Sequence, residues 1–248
     1  MYQNDSYFKY DSYRQELASD NKLNELKKSY SKKVSKNTNT SKFWDKKISK
    51  GHKLDPLTKD RIQSSVSLIK EKTGNLLDIG VGYGDFEKTL YKKNKKILIH
   101  GIDISLKGLN KLKKIVPGTY RKGTVLDIPF KDKTFEIVVA LEILEHISSN
   151  KIFKAYKEIS RIMKKNGVFI LSVPVNEKYT LRDNPNRHMR AYSPKLITSE
   201  LSIAGFKILR IKQFYAFKRF YLMKKNIQKL MLRKRWKPNI VLISCTKK

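Results

Sequence analysis

The sequence predicts a doubly wound α/β fold: a Rossmann-like, mostly parallel sheet of about seven strands covered on both faces. Three observations carry that prediction. Apolar runs bounded by turn residues recur along the chain, segments of helical spacing separate them, and a glycine-rich loop follows the first run. At 248 residues the chain is long enough to bury one sizeable α/β core with additions.

The elements follow in order. Residues 1–42 read as a basic N-terminal arm, mobile or loosely docked, with Leu17, Leu23 and Leu26 supporting one short helix over 13–34. From residue 43 to 248 the signals belong to one domain. Ile62, Val66 and Ile69 follow Pro56 at helical spacing and predict a helix over 57–72. The apolar runs at 75–79, 97–102, 135–141 and 167–173 predict strands, and helices are expected between them over 86–93, 106–115 and 151–163. A helix over 194–204 stops at Gly205, and strands at 206–214 and 239–245 complete the pattern. In such sheets ligands bind beyond the carboxyl ends of the strands, where strand order reverses.

Composition narrows the function. A hydrophobic content of 40% with 10% aromatics argues for a folded protein. No apolar run approaches the roughly 20 residues that span a bilayer, and MYQNDSYFKY lacks the apolar core of a secretory signal. Cys245 is the single cysteine, which excludes an internal disulfide and a cysteine-based zinc cluster and suits a reducing, cytoplasmic setting. The formal charge of +33 attracts phosphate, in nucleic acid or on an anionic membrane. Biased composition, rich in Lys, Asn and Ile, is the alternative source of that charge.

The glycine loop is the strongest motif. In Asp78-Ile-Gly80-Val-Gly82-Tyr-Gly84, glycine serves where backbone turns sharply or approaches a ligand that a Cβ would displace. The dinucleotide fingerprint G-x-G-x-x-G would place its third glycine at Asp85, an acid where a pyrophosphate needs a cation or a bare amide. That spacing argues against a nicotinamide-dependent oxidoreductase and for a cationic ligand with an amino-acid end. Asp103 ends the second strand 19 residues after Gly84, where a carboxylate accepts from both hydroxyls of a ribose. A helix N-terminal acid is the plainer role for it.

Four blocks, LLDIGVGYGDF, HGIDIS, VLDIPFKDKTFEIVVALEILEHI and KEISRIMKKNGVFILSVP, resemble class I S-adenosylmethionine-dependent methyltransferases of the type 11 group. The resemblance covers about residues 43–214 and implies a strand order 3-2-1-4-5-7-6 with the last strand antiparallel. It implies that Asp78, Gly80, Gly82 and Gly84 hold the methionine part of S-adenosylmethionine. Asp103, with Ile104 beside it, would hold the ribose, and Ala140 and Leu141 would line the sulfonium. Where the family places an Asp against the adenine, this chain has Thr124; Thr124, the Val125 backbone and Asp127 are the candidates for that contact. A fold retained as an inactive nucleotide-binding module is a further reading.

After the fourth strand comes Glu142-Ile-Leu-Glu145-His146, and His188 follows later in NPNRHMRAYSP. Methyl transfer aligns an acceptor atom and, for a hydroxyl, removes its proton, which a histidine or a metal-bound hydroxide accomplishes. Ubiquinone-pathway O-methyltransferases and small-RNA terminal 2′-O-methyltransferases show a similar ExxEH. By resemblance to the RNA enzymes, Glu142, Glu145, His146 and His188 would bind a divalent ion with oxygen and imidazole ligands. The alternatives are metal-free catalytic or acceptor-orienting roles for His146, His188 and Glu142, and helix capping or loop ordering.

Residues 201–248 hold 14 Lys or Arg and no Asp or Glu. Within 215–237, Ala216, Phe220, Met223, Ile227 and Leu230 mark one face of a basic helical insertion before the last strand. That helix suits peripheral contact with an anionic membrane, carrying a lipid-linked acceptor, or with RNA, or it simply packs on the sheet. The expected acceptor is a small or lipid-linked molecule methylated at oxygen, with RNA as the alternative.

Overall fold

The computed structural model describes residues 39–69, 72–177, 184–216, 224–225 and 237–248. The helix expected over 13–34 and most of the 215–237 segment lie outside the described residues. Among the described residues, no helix is long and apolar enough to cross a membrane.

Among the described residues, two short helices precede the sheet. Helix α1 (Ser41–Ser49) starts where the Thr40 side chain accepts from the Phe43 N–H, and α2 (Pro56–Ser67) where Asp55 accepts from Thr58. Helix α1 straddles the expected boundary between arm and domain at residues 42 and 43.

The alternating part then runs β1 (Gly74–Ile79), α3 (Asp85–Lys93), β2 (Ile97–Asp103), α4 (Leu106–Lys113), β3 (Thr119–Lys122) and β4 (Phe135–Leu141). It continues through α5 (Ile152–Ile162), β5 (Met163–Pro174), α6 (Pro194–Ile203), β6 (Phe206–Phe214) and β7 (Ile240–Lys247). Six of these strands match the apolar runs. The seventh, β3, is a four-residue edge strand in which Tyr120 is the one buried side chain, so no apolar run marks it.

The sheet order is β3-β2-β1-β4-β5-β7-β6, with β7 antiparallel to both neighbours. Alternation sends Leu76 and Leu77 to opposite faces, where α2, α3 and α4 cover one side and α5 and α6 the other. Order reverses between β1 and β4, so the carboxyl ends of β1, β2 and β4 open onto one crevice. Across the sheet, Asp78, Gly101 and Tyr120 stand in one register row. The Tyr120 ring lies over Gly101, 2.9 Å from where a Cβ would sit.

Candidate active site

The glycine loop turns sharply from β1 into α3. Gly80, Gly82 and Gly84 have φ of 86°, 53° and 74°, in the left-handed region where glycine carries no steric penalty. Asp103 ties this loop to the end of β2. Its Oδ2 accepts from the Gly82 N–H at 2.9 Å and its Oδ1 from the Ser105 N–H at 2.7 Å. Burial raises the Asp103 pKa, while the N–H groups of Ser105, Gly82 and Ile104 pull it down. Each oxygen keeps a lone pair for a further donor such as a ribose hydroxyl. Helix α4 crowds the loop, since a Cβ on Gly108 would lie 2.7 Å from the Gly82 carbonyl oxygen.

Asp85 opens α3 and is paired: His52 Nε2 lies 2.7 Å and Lys88 Nζ 3.1 Å from its oxygens. Asp78 is buried below the loop, and burial together with the Glu87 carboxyl pushes its pKa well above the usual carboxylate range. Ala140 is buried and Leu141 half-buried at the end of β4. In the turn after β3, the Thr124 hydroxyl accepts from the Leu126 N–H at 3.1 Å. Val125 is buried beside it, and Asp127 is exposed in the same turn.

A second cluster forms beyond β4 and β5. Glu142 takes a left-handed φ of 60°, a conformation that costs a non-glycine residue free energy and that marks functional turns. Its Oε1 accepts from Ser172 Oγ at 2.9 Å and lies 3.5 Å from Arg61 Nη1. The next residues form a 3-10 turn, Leu144–His146, and the Glu145 carbonyl accepts from the N–H groups of Met189 and Arg190 at 2.8 and 3.2 Å. Those two bonds hold the distant loop against the turn and bring His188 to His146, ring centroids 4.9 Å apart.

Glu145, His146 and His188 each offer a ligand atom, and the three atoms lie within 4.8 Å of one another; Glu142 stands outside this group. The Glu145 side chain is fully buried, with neither oxygen hydrogen-bonded. Burial, then the charge of Glu142, raises its pKa well above the usual range. Burial and the neighbouring His188 lower the His146 pKa to about 3, and its Nδ1 has no partner. His188 differs: its Nδ1 lies 2.7 Å from Glu177 Oε2, and its Nε2 lies 4.0 Å from Glu145 Oε1.

Helix α1 covers both clusters. Asp45 Oδ1 accepts from Ser105 Oγ at 2.6 Å and from the Lys107 N–H at 3.2 Å, and Tyr83 Oη donates to the Lys47 carbonyl at 3.1 Å. On the other side, Trp44 packs its ring against His146 and the Arg187 guanidinium lies 3.7 Å from the Phe43 ring centroid. Sequence reasoning missed Trp44, Asp45, Arg61, Glu87 and Glu177. An acid at position 87, between the buried Phe86 and Leu90 of α3, was the one local signal available.

A family profile described as a methyltransferase domain matches residues 77–171. The chain is 30% identical over 184 residues to the uncharacterised protein MJ0638 of Methanocaldococcus jannaschii, covering 71% of this chain and 76% of that one. It is 29% identical over 176 residues to YrhH of Bacillus subtilis, a protein that carries the name methyltransferase, covering 67% of this chain and 95% of YrhH. The fold matches that of the N-methyltransferase NodS from Bradyrhizobium japonicum, solved with S-adenosyl-L-homocysteine. That match has a TM-score of 0.57 at 14% identity and covers 96% of this chain and 97% of NodS.

Proposed function

The chain belongs to the class I S-adenosylmethionine-dependent methyltransferases, and from that membership we propose that it methylates an oxygen of a small-molecule or lipid-linked acceptor. The observation that carries this reading is the convergence of His146, His188 and Glu145 in one largely buried cluster beyond β4. The donor suits this crevice: a Cβ on Gly82 would have only the Gly80 carbonyl oxygen within 4.0 Å, and Asp78, Glu87 and Asp103 set an acidic field within a protein of charge +33.

When bound, S-adenosylmethionine supplies a methyl group on a positively charged sulfur. In this reading Asp103 accepts from the ribose, and Asp78 and the loop hold the methionine end. Ala140 and Leu141 exclude water from the sulfonium side. Glu177 orients His188 through Nδ1, which leaves Nε2 as the acceptor for a hydroxyl proton and stabilises the imidazolium that forms. His146, with its pKa near 3, is a weak base and orients the acceptor through its bare Nδ1. The packing of Trp44 from α1 on this cluster suits a small acceptor, and the basic 215–237 segment suits an anionic membrane surface that presents a lipid-linked one.

A second reading rests on the same three residues. Two imidazoles and a carboxylate within 4.8 Å, with the Glu145 oxygens and His146 Nδ1 unpartnered, are a donor set for Mn²⁺, Fe²⁺ or Zn²⁺. Such an ion would bind the acceptor hydroxyl and lower its pKa, as an RNA 2′-hydroxyl requires, and the charge of +33 suits that polymer.

Methyl-labelled S-adenosylmethionine offered with small-molecule, lipid and RNA fractions separates these readings. The expected result is label in the small-molecule or lipid fraction that survives chelator treatment and Glu142→Ala. Label confined to RNA and abolished by chelator establishes the second reading. No label in any fraction, with no donor binding by calorimetry, overturns both.

A further inference from the structure

A groove of about 630 Å³ opens beside the edge strand β3. It is lined by His100 of β2, by Thr119 and Arg121 of β3, and by Pro129, Phe130 and Lys131 of the connection to β4. His100 and Thr119 stand in one register row, and alternation puts Arg121 on the same face. Leu98, two residues before His100 on that face, is 62% exposed, so this corner of the sheet stands open. Thr119 opens β3 and the groove residue Thr134 precedes β4, which places the groove toward the amino ends of the strands. The crevice beside the glycine loop opens at their carboxyl ends.

The wall of the groove is held firmly. Arginines fix three consecutive carbonyls of the connection: Arg161 Nη2 donates to Ile128 at 2.9 Å, Arg121 Nη1 to Pro129 at 2.8 Å and Arg161 Nη1 to Phe130 at 2.9 Å. The Ile128 N–H donates to Glu158 Oε2 at 3.0 Å. The Arg121 guanidinium lies 4.6 Å from the Phe130 ring centroid, and the His100 ring meets Phe130 edge-on at 5.6 Å. A cationic side chain already held in this way loses little further freedom when a ligand binds.

Charge in the groove is unbalanced. Arg161 is matched by Glu158 and Asp132, at 2.8 and 2.7 Å. Among the described residues, Arg121 and Lys131 have no carboxylate partner. Because Nη1 of Arg121 serves Pro129, its Nε and Nη2 remain, the edge of a guanidinium that meets two oxygens of one anion. Two uncompensated positive charges beside the apolar side chains of Ile128, Pro129 and Phe130 match a dianion on an apolar body. A phosphate monoester is such a dianion above pH about 6, whereas a carboxylate carries half that charge.

We propose that this groove binds a phosphate monoester with an aromatic or apolar body. Arg121 takes two phosphate oxygens through Nε and Nη2, Lys131 balances the second charge, and the body lies along Pro129 and Phe130. No covalent bond changes. The site stands apart from methyl transfer, since none of its lining residues belongs to the glycine loop or to the Glu145–His146–His188 cluster.

Calorimetry and amide chemical-shift mapping of the full chain with phenyl phosphate test the proposal, at about 0.15 M salt to screen diffuse surface charge. Phenyl phosphate has neither an adenine nor an amino-acid end, so the outcome does not depend on the donor reading. Shifts are expected at the amides of Thr119, Arg121, Phe130 and Lys131 and not at Gly80, Gly82 and Gly84. Phenol, which lacks the charge, is expected not to bind, and inorganic phosphate, which lacks the body, binds on the order of tenfold more weakly.

Arg121→Gln is expected to weaken phenyl phosphate on the order of tenfold or more. Lys131→Gln, which leaves every bond of the wall in place, weakens it severalfold. Lys113→Gln makes the same change of charge in α4, on the opposite face of the sheet, and leaves binding as it was. Absence of phenyl phosphate binding overturns the proposal, as do shifts that spread over the lysine-rich surface or fall on the glycine loop. Equal losses in Lys131→Gln and Lys113→Gln overturn it as well, because they mean attraction to net charge alone.

Discussion

The Trp44 ring meets the His146 imidazole edge-on, with centroids 5.1 Å apart and planes at 85°. This contact joins α1, which also docks on the glycine loop, to the Glu145–His146–His188 cluster. One short helix therefore bridges the two parts of the candidate site.

Asp45→Ala removes the bonds from Ser105 Oγ and the Lys107 N–H that anchor α1 to α4. Each contributes about 1 kcal/mol net, so the undocked population of α1 rises on the order of tenfold. Trypsin cleavage at Lys46, Lys47 and Lys50 accelerates accordingly, while the melting temperature of the sheet domain stays put. Unchanged cleavage would show that Asp45 does not anchor the cover.

Asp103→Ala removes the acceptor for the Gly82 and Ser105 N–H groups together with the ribose contacts proposed for it. Hydrogen bonds to a charged group are worth about 1.5–3 kcal/mol each, so S-adenosylhomocysteine binds on the order of 100-fold more weakly. Calorimetry reads this directly, and an unaltered affinity removes Asp103 from the donor site.

Glu200 is buried and held by Arg190 Nη1 at 2.5 Å, Arg190 Nη2 at 3.1 Å, Tyr156 Oη at 2.9 Å and Tyr192 Oη at 3.1 Å. Removing the cation leaves a carboxylate uncompensated in the interior, at about 3–5 kcal/mol. Arg190→Met is expected to lose that much in denaturant unfolding, and Glu200→Gln added to it should recover part of the loss. A single variant within about 1 kcal/mol of wild type would mean that the tyrosines suffice.

The Glu87 pKa, raised by burial to about 7 from an ordinary 4.5, makes the stability of the free protein depend on pH. The protonated form is the one folding favours, so its contribution is intact below pH 4.5 and is lost as pH rises through 7. Melting curves of wild type against Glu87→Gln should diverge across that window, with wild type losing ground as pH rises. Parallel curves from about pH 4.5 to 8 would contradict the raised pKa.

Much of the glycine loop and the strand ends beside it was legible because its code is local. The run ending at Asp78, the spacing of Gly80, Gly82 and Gly84, and Asp103 at the end of β2 each need only near neighbours to be read. Strand β3 was not, because an edge strand with one buried residue leaves no periodic signal. Helix α1 was hidden in a lysine-rich stretch whose anchors, Ser105 and His146, lie 60 and 102 residues away from Asp45 and Trp44.

By itself, then, the sequence determined the sheet, the turn of the glycine loop and the family, since strand periodicity and turn chemistry act over a few residues. Only the tertiary structure decided that His188 reaches His146 and that Glu142 turns to Arg61 and Ser172 instead of joining them. Those outcomes depend on how β4, the loop around His188 and helices α1 and α2 pack. Packing is a sum of long-range contacts that no local spacing encodes.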